Sequence, residues 1–154
     1  MVLRRAMLAA LVALPGGLVL SGEATAQAGA GTGPRLALKG YDPVAYFTDG
    51  KPVAGANTYE LTWDGERYLF ASAEHRDLFR QNPDKYAPQF GGACTMNLAA
   101  GRKREADPHN WIISDGKLYV FEGAAGAANF AKDPRGNARR AAENWQRLKG
   151  EAFR

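Results

Sequence analysis

Two stretches rich in apolar residues dominate the pattern of the chain, and each contains a central Asp-Gly pair. The first stretch is residues 59–70, and the second is residues 110–121. Before the first pair, Tyr59, Leu61 and Trp63 alternate with polar residues. Glycine adopts the positive φ of a tight turn at little cost, so Asp-Gly between apolar strands is a strong hairpin signal. The pattern therefore predicts two β-hairpins.

In two segments outside the hairpins, the apolar residues follow the period of an α-helix. Ser72 can accept a hydrogen bond from the first amides of a helix over about residues 73–81, and Pro83 ends that helix. Residues 133–136 are interpreted as a break, and a last helix is expected over about residues 137–149. No internal repeat beyond the two hairpins is visible. The fold class is predicted as α+β, with two short β-hairpins and helices packed on one side.

The first 26 residues show the three-part pattern of a secretory signal peptide. Arg4 and Arg5 precede an apolar run, and small residues lead to Ala26, where we expect cleavage, with Ala28 as the second choice. A membrane anchor needs about 20 apolar residues, and this run is shorter and contains a Pro-Gly-Gly kink. We expect a periplasmic or secreted protein. The general secretory route is favoured over twin-arginine export.

Composition sets the domain organisation and excludes several partners. Residues 1–26 are the signal peptide, residues 27–35 a Gly/Ala-rich disordered leader, and residues 36–149 one domain. The net charge of +4 falls to +3 after cleavage, which is too mild to indicate a nucleic-acid partner. Cys94 is the single cysteine, so no internal disulfide can form. We expect a monomer or weak dimer without a stable membrane span after cleavage.

The chain contains, in this order, Asp42-Pro43-Val44, Tyr68-Leu69-Phe70-Ala71-Ser72, Phe79, Asn82-Pro83 and Tyr86. This set of motifs resembles the YHS domain. An exported branch of that family is resembled more closely, over roughly residues 36–148, through Gly40–Phe47, Tyr86–Gly92, Cys94, Asp115–Tyr119 and Ala141–Trp145. The resemblance implies a small α+β module associated with soft-metal handling. The metal-type members have cysteines where this chain has Ala45, Ala71 and His75, so it implies a member without their thiolate cage.

Cys94 and Met96 form a Cys-x-Met pair, and thiolate and thioether are soft ligands suited to monovalent copper. His75 shares an apolar helix face with Leu78 and Phe79, and its imidazole also suits copper. One hypothesis is therefore a copper site formed by His75, Cys94 and Met96, with copper as the cofactor. The alternative is that Cys94 is a small buried apolar residue, Met96 fills a gap, and His75 is a hydrogen-bonded structural residue without a cofactor.

A second hypothesis is a metal-free pocket for a small organic ligand or a partner protein. It is predicted at Tyr86, Phe90, Gly91 and Gly92, where two glycines let the backbone approach a ligand closely. The basic run at residues 102–104 is interpreted as a solvated loop.

Catalysis is the third hypothesis and the least favoured. Cys94 with His75 can form a thiolate–imidazole pair, but no spacing in the sequence supplies a third, orienting group. No glycine pattern for a phosphate or a dinucleotide is present. We therefore expect no catalytic residues, and the sequence favours an exported small binding protein, with copper binding or metal homeostasis as its function and a metal-free binding module as the alternative.

Overall fold

The computed structural model describes residues 33–154, so the predicted signal peptide and most of the predicted leader lie outside the described residues. This part of the chain contains five strands and six α-helices. In chain order they are β1 (Arg35–Leu36), α1 (Ala45–Thr48), β2 (Ala56–Trp63), β3 (Glu66–Phe70), α2 (Ala73–Gln81), α3 (Pro83–Tyr86), α4 (Thr95–Ala99), β4 (Asp107–Ser114), β5 (Lys117–Phe121), α5 (Ala124–Lys132) and α6 (Pro134–Leu148). None of these helices has the length and hydropathy needed to cross a bilayer.

The α+β fold class and both hairpins are confirmed. β2 pairs antiparallel with β3, and β4 pairs antiparallel with β5, each around its Asp-Gly turn. In both turns the aspartate also has a positive φ, 47° at Asp64 and 49° at Asp115. This geometry fits a tight hairpin turn in which both central residues are left-handed. β1 adds to the first hairpin as a short strand parallel to β3 and begins at Arg35.

The helix after the first hairpin is confirmed at α2. The Ser72 hydroxyl accepts a hydrogen bond from the backbone amide of His75 at 3.1 Å, which satisfies one of the free donors at the helix start. Pro83 ends α2 and is also the first residue of α3, where its missing amide hydrogen costs nothing. The Asn82 side chain caps α3 by accepting from the backbone amide of Lys85.

The break predicted at residues 133–136 is instead the start of α6. Asp133 caps this helix by accepting from the backbone amide of Gly136 at 3.0 Å, and Pro134 occupies the first helical turn. An Asp-Pro pair therefore begins a helix here, three residues before the predicted start. Sequence reasoning also missed α5, because its cap is Gly123, which has no side chain to mark a helix start.

The chain contains an internal structural repeat, which corrects the prediction that only the hairpins recur. β4, β5 and α5 begin and end 51 residues after β2, β3 and α2, and α6 begins 51 residues after α3. Two short 3₁₀ segments, Ala37–Gly40 and Gln89–Gly92, precede the two sets of elements. We call residues 37–86 repeat 1 and residues 89–148 repeat 2.

Irregular details of the backbone recur together with the regular elements. The caps Asn82 and Asp133 share φ −151° and ψ 73°. Leu38 and Phe90 both have a positive φ in the 3₁₀ segments, at 47° and 57°. The register shift of the first hairpin begins at Ala56, and that of the second begins 51 residues later. Matching irregularities of this kind show that the two halves are copies of one supersecondary unit.

The two repeats share part of one hydrophobic core. Phe79 of α2 and Phe130 of α5 are equivalent residues, and both are fully buried against the hairpin of their own repeat. The core cluster of repeat 2 also contains Leu38 and Tyr46 from repeat 1. Burial of large apolar side chains is the main favourable term in folding, so we expect neither repeat to be stable alone.

Candidate functional site

His75, the first predicted metal ligand, belongs to a hydrogen-bond network centred on buried Asp42. Its Nδ1 atom donates to Oδ2 of Asp42 at 2.6 Å, and its Nε2 atom lies 3.3 Å from the Thr48 hydroxyl. Asp42 has no exposed surface, and its carboxylate also accepts from the backbone amides of Val44 and Ala71 at 2.8 Å each. These contacts give His75 and Asp42 a clear structural role, because they link α1, α2 and the end of β3.

Cys94 and Met96, the other two predicted ligands, lie in repeat 2. Both line an open cavity of about 360 Å³, which we call the sulfur cavity, together with Glu122 and Gly126. Cys94 is 1% exposed, so its thiol contacts the core as well as the cavity. His75 is not part of this lining. The structure therefore brings the two sulfur residues together and leaves the histidine with Asp42.

The repeat explains this separation. Asp42 and Cys94 hold equivalent positions, Asp42 shortly before α1 and Cys94 directly before α4. The backbone amide of Asp42 donates to the carbonyl oxygen of Val53, and that of Cys94 donates in the same way to the carbonyl oxygen of Arg104. His75 of α2 is equivalent to Gly126 of α5, 51 residues later. Where repeat 1 has an aspartate bonded to a histidine, repeat 2 has a cysteine beside a glycine. Between Gly33 and Arg154, no group of three or more His, Cys, Asp and Glu side chains is placed to hold a metal ion.

Asp107 and His109 form a separate, exposed pair. The His109 Nδ1 atom lies 3.0 Å from Oδ1 of Asp107, and its backbone amide donates to the same oxygen at 2.9 Å. The backbone hydrogen bond from His109 lowers the pKa of Asp107, with a further contribution from the His109 side chain. Two side chains in solvent are a weak metal site.

A cavity with a volume of about 840 Å³ lies beside β3 of repeat 1. Five aromatic residues contribute to its walls, and we call it the aromatic cavity. The aromatic residues that line it are Trp63, Tyr68, Phe90, Trp145 and Phe153. Sites for small organic ligands typically occupy 300–1,000 Å³ and combine aromatic walls with a few polar groups, and this cavity meets both criteria.

The ion pair of Arg35 and Glu66 forms part of the wall of the aromatic cavity, and only one of the two carboxylate oxygens of Glu66 takes part in it. Arg35 donates from Nη2 to Oε1 of Glu66 at 2.6 Å and also bonds to the carbonyl oxygen of Gly91. The second carboxylate oxygen of Glu66, Oε2, is buried and has no hydrogen-bond partner among residues 33–154. Burial raises the pKa of Glu66, and the hydrogen bond and charge of Arg35 oppose that rise. Since an unpaired buried acceptor is costly, Glu66 is a polar group with capacity for a further donor.

Tyr68 places a second polar group in the aromatic cavity. Glu66 and Tyr68 are two residues apart on β3, so both side chains point to the same face of the sheet. Tyr68 is 2% exposed and lines the cavity, and its hydroxyl makes no hydrogen bond within the described part of the chain. Burial raises the pKa of Tyr68 well above the usual range, so the hydroxyl stays protonated and can donate or accept.

The C-terminal segment, residues 149–153, forms one side of the aromatic cavity, and Lys103 binds this segment to the rest of the fold. The ammonium group of Lys103 donates to the carbonyl oxygens of Lys149 and Glu151 at 2.8 and 2.6 Å. It also lies 4.6 Å from the ring centroid of Phe153. Lys103 is 8% exposed, and burial lowers its pKa. The prediction of a solvated basic loop is therefore wrong at Lys103, which is a structural cation.

The predicted pocket at Tyr86, Phe90, Gly91 and Gly92 coincides with the aromatic cavity at two of its four residues. Phe90 and Gly91 line the cavity. Tyr86 is buried instead and packs its ring edge-on against Phe47 at 5.4 Å, and Gly92 is buried in close contact with Leu38. The sequence therefore identified one end of this cavity and missed the rest.

Several residues of the cavity were missed by the sequence reasoning. The sequence could have indicated Glu66, because the period-2 alternation along β3 places it on the same face as buried Tyr68. No sequence pattern could have indicated Arg35, Lys103 and Trp145, because they come from distant parts of the chain and only the tertiary fold brings them to one place.

Repeat 2 has a cleft at the equivalent place, which we call the repeat 2 cleft. It is lined by Ser114, Asp115, Lys117, Tyr119, Pro134, Arg135 and Ala138. Six of these are equivalent, 51 residues later, to residues that line the aromatic cavity, namely Trp63, Asp64, Glu66, Tyr68, Asp84 and Ala87. The repeat 2 cleft measures about 190 Å³, has serine in place of Trp63, and has lysine and arginine in place of Glu66 and Asp84.

The family model of the YHS domain matches residues 44–90, which extend from the residue before α1 to the second 3₁₀ segment. No curated protein and no solved structure matches the chain. The matched span contains the hairpin of repeat 1, the helices α1, α2 and α3, and the Asp42-bonded His75, so this part of the chain is similar to a YHS domain.

Proposed function

We propose that this protein is a small exported binding module, and that the aromatic cavity is its binding site for a planar organic ligand. The export part of the proposal rests on the pattern of the first 26 residues. The binding part rests on one observation: an aromatic cavity of about 840 Å³ is lined by Glu66, whose buried Oε2 atom has no hydrogen-bond partner in the described part of the chain.

Three features of the aromatic cavity support this proposal. Its volume suits a molecule of one or two rings. Trp63 and Trp145, both half-buried, offer ring surface for stacking. Phe90 is held in a left-handed conformation that non-glycine residues seldom adopt, with its ring 6.2 Å from that of Trp145.

The three tryptophans provide a direct test by two-dimensional NMR of the indole N–H groups. Trp63 and Trp145 line the aromatic cavity, whereas Trp111 packs against Tyr46 in the other part of the core. Indole, benzimidazole and benzamide are the probes. We expect at least one probe to shift the Trp63 and Trp145 signals in a saturable manner and to leave Trp111 unchanged. Failure of all three probes to shift the two cavity signals would contradict the proposal.

A matched pair of variants assigns any such binding to the cavity. Tyr68→Phe removes the free hydroxyl and keeps the ring, so we expect the affinity for benzamide to fall about threefold to tenfold. Tyr119→Phe makes the same change at the equivalent residue of repeat 2 and is expected to leave the affinity unchanged. Equal effects of the two variants would exclude Tyr68 from the binding site.

Monovalent copper is the second candidate ligand. It is supported by the sulfur cavity, where Cys94 and Met96 supply the two soft donors that this ion prefers. The acidic side chain of Glu122 lines the same cavity, although it also bonds to Asn97 and lies 3.3 Å from Arg104.

Competition with a copper(I) chelator tests this candidate with three variants. If the sulfur cavity binds copper, Cys94→Ser and Met96→Leu each weaken binding about tenfold or more, whereas His75→Ala does not. A loss with all three variants would instead support the site of His75, Cys94 and Met96 that the sequence predicted. Unchanged affinity in all three variants would exclude both sites.

A further inference from the structure

We infer that the aromatic cavity selects a planar organic cation, such as an amidinium or a protonated ring amine, over a neutral or anionic ring of the same shape. This inference rests on the proposed function, because it names the class of ligand for the same site. It is carried by the charges that line the cavity and by the hydrogen-bonding partners of each charged group.

Four carboxylates line the aromatic cavity, and they differ in how far other residues neutralise them. They are Asp64, Glu66, Asp84 and Glu151. Glu66 shares one oxygen with Arg35, and Glu151 lies 3.8 Å from Arg154. Asp64 and Asp84 are exposed at the cavity and form no ion pair with another residue of the described chain. Their negative charges are therefore available to a ligand.

Two of the three cations in the lining are already used by the protein. Arg35 bonds to Glu66 and to the carbonyl oxygen of Gly91, and it stacks 4.4 Å above the ring of Phe153. Lys103 bonds to two backbone carbonyls and lies over the same ring. The third cation, Lys149, is exposed. An anionic ligand would have to compete with internal partners at Arg35 and Lys103 and finds only Lys149 free, whereas Asp64 and Asp84 are both free to pair with a cationic ligand.

Aromatic faces beside free carboxylates form the usual recognition site for organic cations. The negative faces of aromatic rings attract a cation, and the attraction increases when water is excluded. Trp63 lies next to Asp64 in the chain, and its ring packs edge-on against Phe79 at 6.0 Å, which fixes its orientation. The Tyr68 hydroxyl can accept from an N–H group of the ligand at the inner end of the cavity. A flat cation with N–H donors satisfies all of these groups at once.

Isosteric probes test the inference by NMR titration of the Trp63 and Trp145 signals near neutral pH. Benzamidinium, benzamide and benzoate share one planar shape and differ in charge. We expect the affinities to fall in that order, with about tenfold or more between benzamidinium and benzoate. Benzoate binding as tightly as benzamidinium would overturn the inference and leave the proposed function intact. Absence of binding by all three probes would instead contradict the proposed function.

Charge-neutralising variants identify the groups responsible. Asp64→Asn and Asp84→Asn are each expected to weaken benzamidinium about twofold to fivefold and to leave benzamide unchanged. Asp115→Asn is the matched control, because Asp115 is the equivalent of Asp64 in the hairpin turn of repeat 2. If the two cavity variants change the affinity for benzamidinium no more than the control does, the inference is wrong.

Discussion

The two repeats have the same backbone plan but differ at the places where chemistry is possible. Repeat 1 has a large, acidic cavity beside Trp63, whereas the equivalent cleft of repeat 2 is small and contains Lys117 and Arg135. Repeat 1 fills the space near α2 with the hydrogen-bonded pair of Asp42 and His75. Repeat 2 leaves the equivalent space open beside Cys94. A repeated unit therefore fixes the positions of clefts, and a few side chains decide what each cleft can bind.

The comparison also separates stability from function. Residues that match between the repeats, such as Phe79 and Phe130 or the caps Asn82 and Asp133, are buried or bond to the backbone. Several residues that differ, such as Trp63 and Ser114, line cavities. We therefore expect equal effects on stability where equivalent residues have the same role, and unequal effects where their chemistry differs. The following predictions test this expectation from the largest effect to the smallest.

The largest effect is expected at the two equivalent phenylalanines. Phe79→Ala and Phe130→Ala each create a cavity beside the hairpin of their repeat, and each should lower the free energy of unfolding by about 3–5 kcal/mol. Urea denaturation measures the loss. The milder variants Phe79→Leu and Phe130→Leu keep the comparison measurable if the alanine variants do not fold. A loss below about 1 kcal/mol at either alanine variant would contradict a shared core.

The next effect distinguishes Asp42 from its equivalent, Cys94. Asp42→Ala removes the acceptor of two backbone amides and of His75 in a buried site, so it should lower the free energy of unfolding by about 3 kcal/mol or more. Cys94→Ala removes one sulfur atom from an apolar cluster and should cost only about 1 kcal/mol. Equal losses in urea denaturation would show that the Asp42 network does not hold repeat 1 together.

A smaller and equal effect is expected at the two helix caps. Asn82→Ala and Asp133→Ala each remove a side-chain acceptor from the first turn of α3 or α6, at a cost of about 1 kcal/mol. Thermal unfolding of the two variants, compared with the unmodified protein, measures it. If one cap proves neutral and the other costly, the two helix starts are not equivalent in energy.

The smallest effect depends on pH. Burial raises the pKa of Glu66 in the folded protein above its value in the unfolded chain. The contribution of this carboxyl group to stability is therefore fully present below the unfolded pKa, and it is lost as the pH rises through the folded pKa. Glu66→Gln mimics the protonated form. The variant should therefore gain stability relative to the unmodified protein between about pH 4 and pH 7.

Urea denaturation at the two pH values measures this gain. The control is Glu60→Gln, which removes an exposed partner of Arg67 on the neighbouring strand and should change stability by no more than about 1 kcal/mol at either pH. A relative loss of stability of Glu66→Gln on going from pH 4 to pH 7 would contradict the burial of this carboxyl group.

Local signals in the sequence were sufficient for most of the fold. The Asp-Gly pairs located both hairpins, and Ser72 located the start of α2, because in each case the deciding interaction lies within a few residues. The internal repeat was not visible, because only a few residues, such as Tyr68 and Tyr119, match at a spacing of 51. What recurs is mainly backbone conformation, and many different side chains permit the same conformation.

The candidate site was less predictable, for a physical reason. Phe90 and Gly91 were identified because paired glycines indicate a close approach of the backbone. Lys103 was assigned to solvent because its neighbours in the chain are basic, whereas long-range bonds to the carbonyls of the C-terminal segment bury it. Arg35 and Trp145 come together only in the folded chain, and no spacing along the sequence encodes that contact.

A crystal structure of the protein with benzamidinium tests the central claim most directly, because it locates the ligand in one repeat or the other. We expect the ring in the aromatic cavity, stacked beside Trp63 or Trp145, with its amidinium group within hydrogen-bonding distance of Tyr68, Glu66 or Asp84. Density for benzamidinium in the repeat 2 cleft beside Tyr119, with the aromatic cavity empty, would contradict the account.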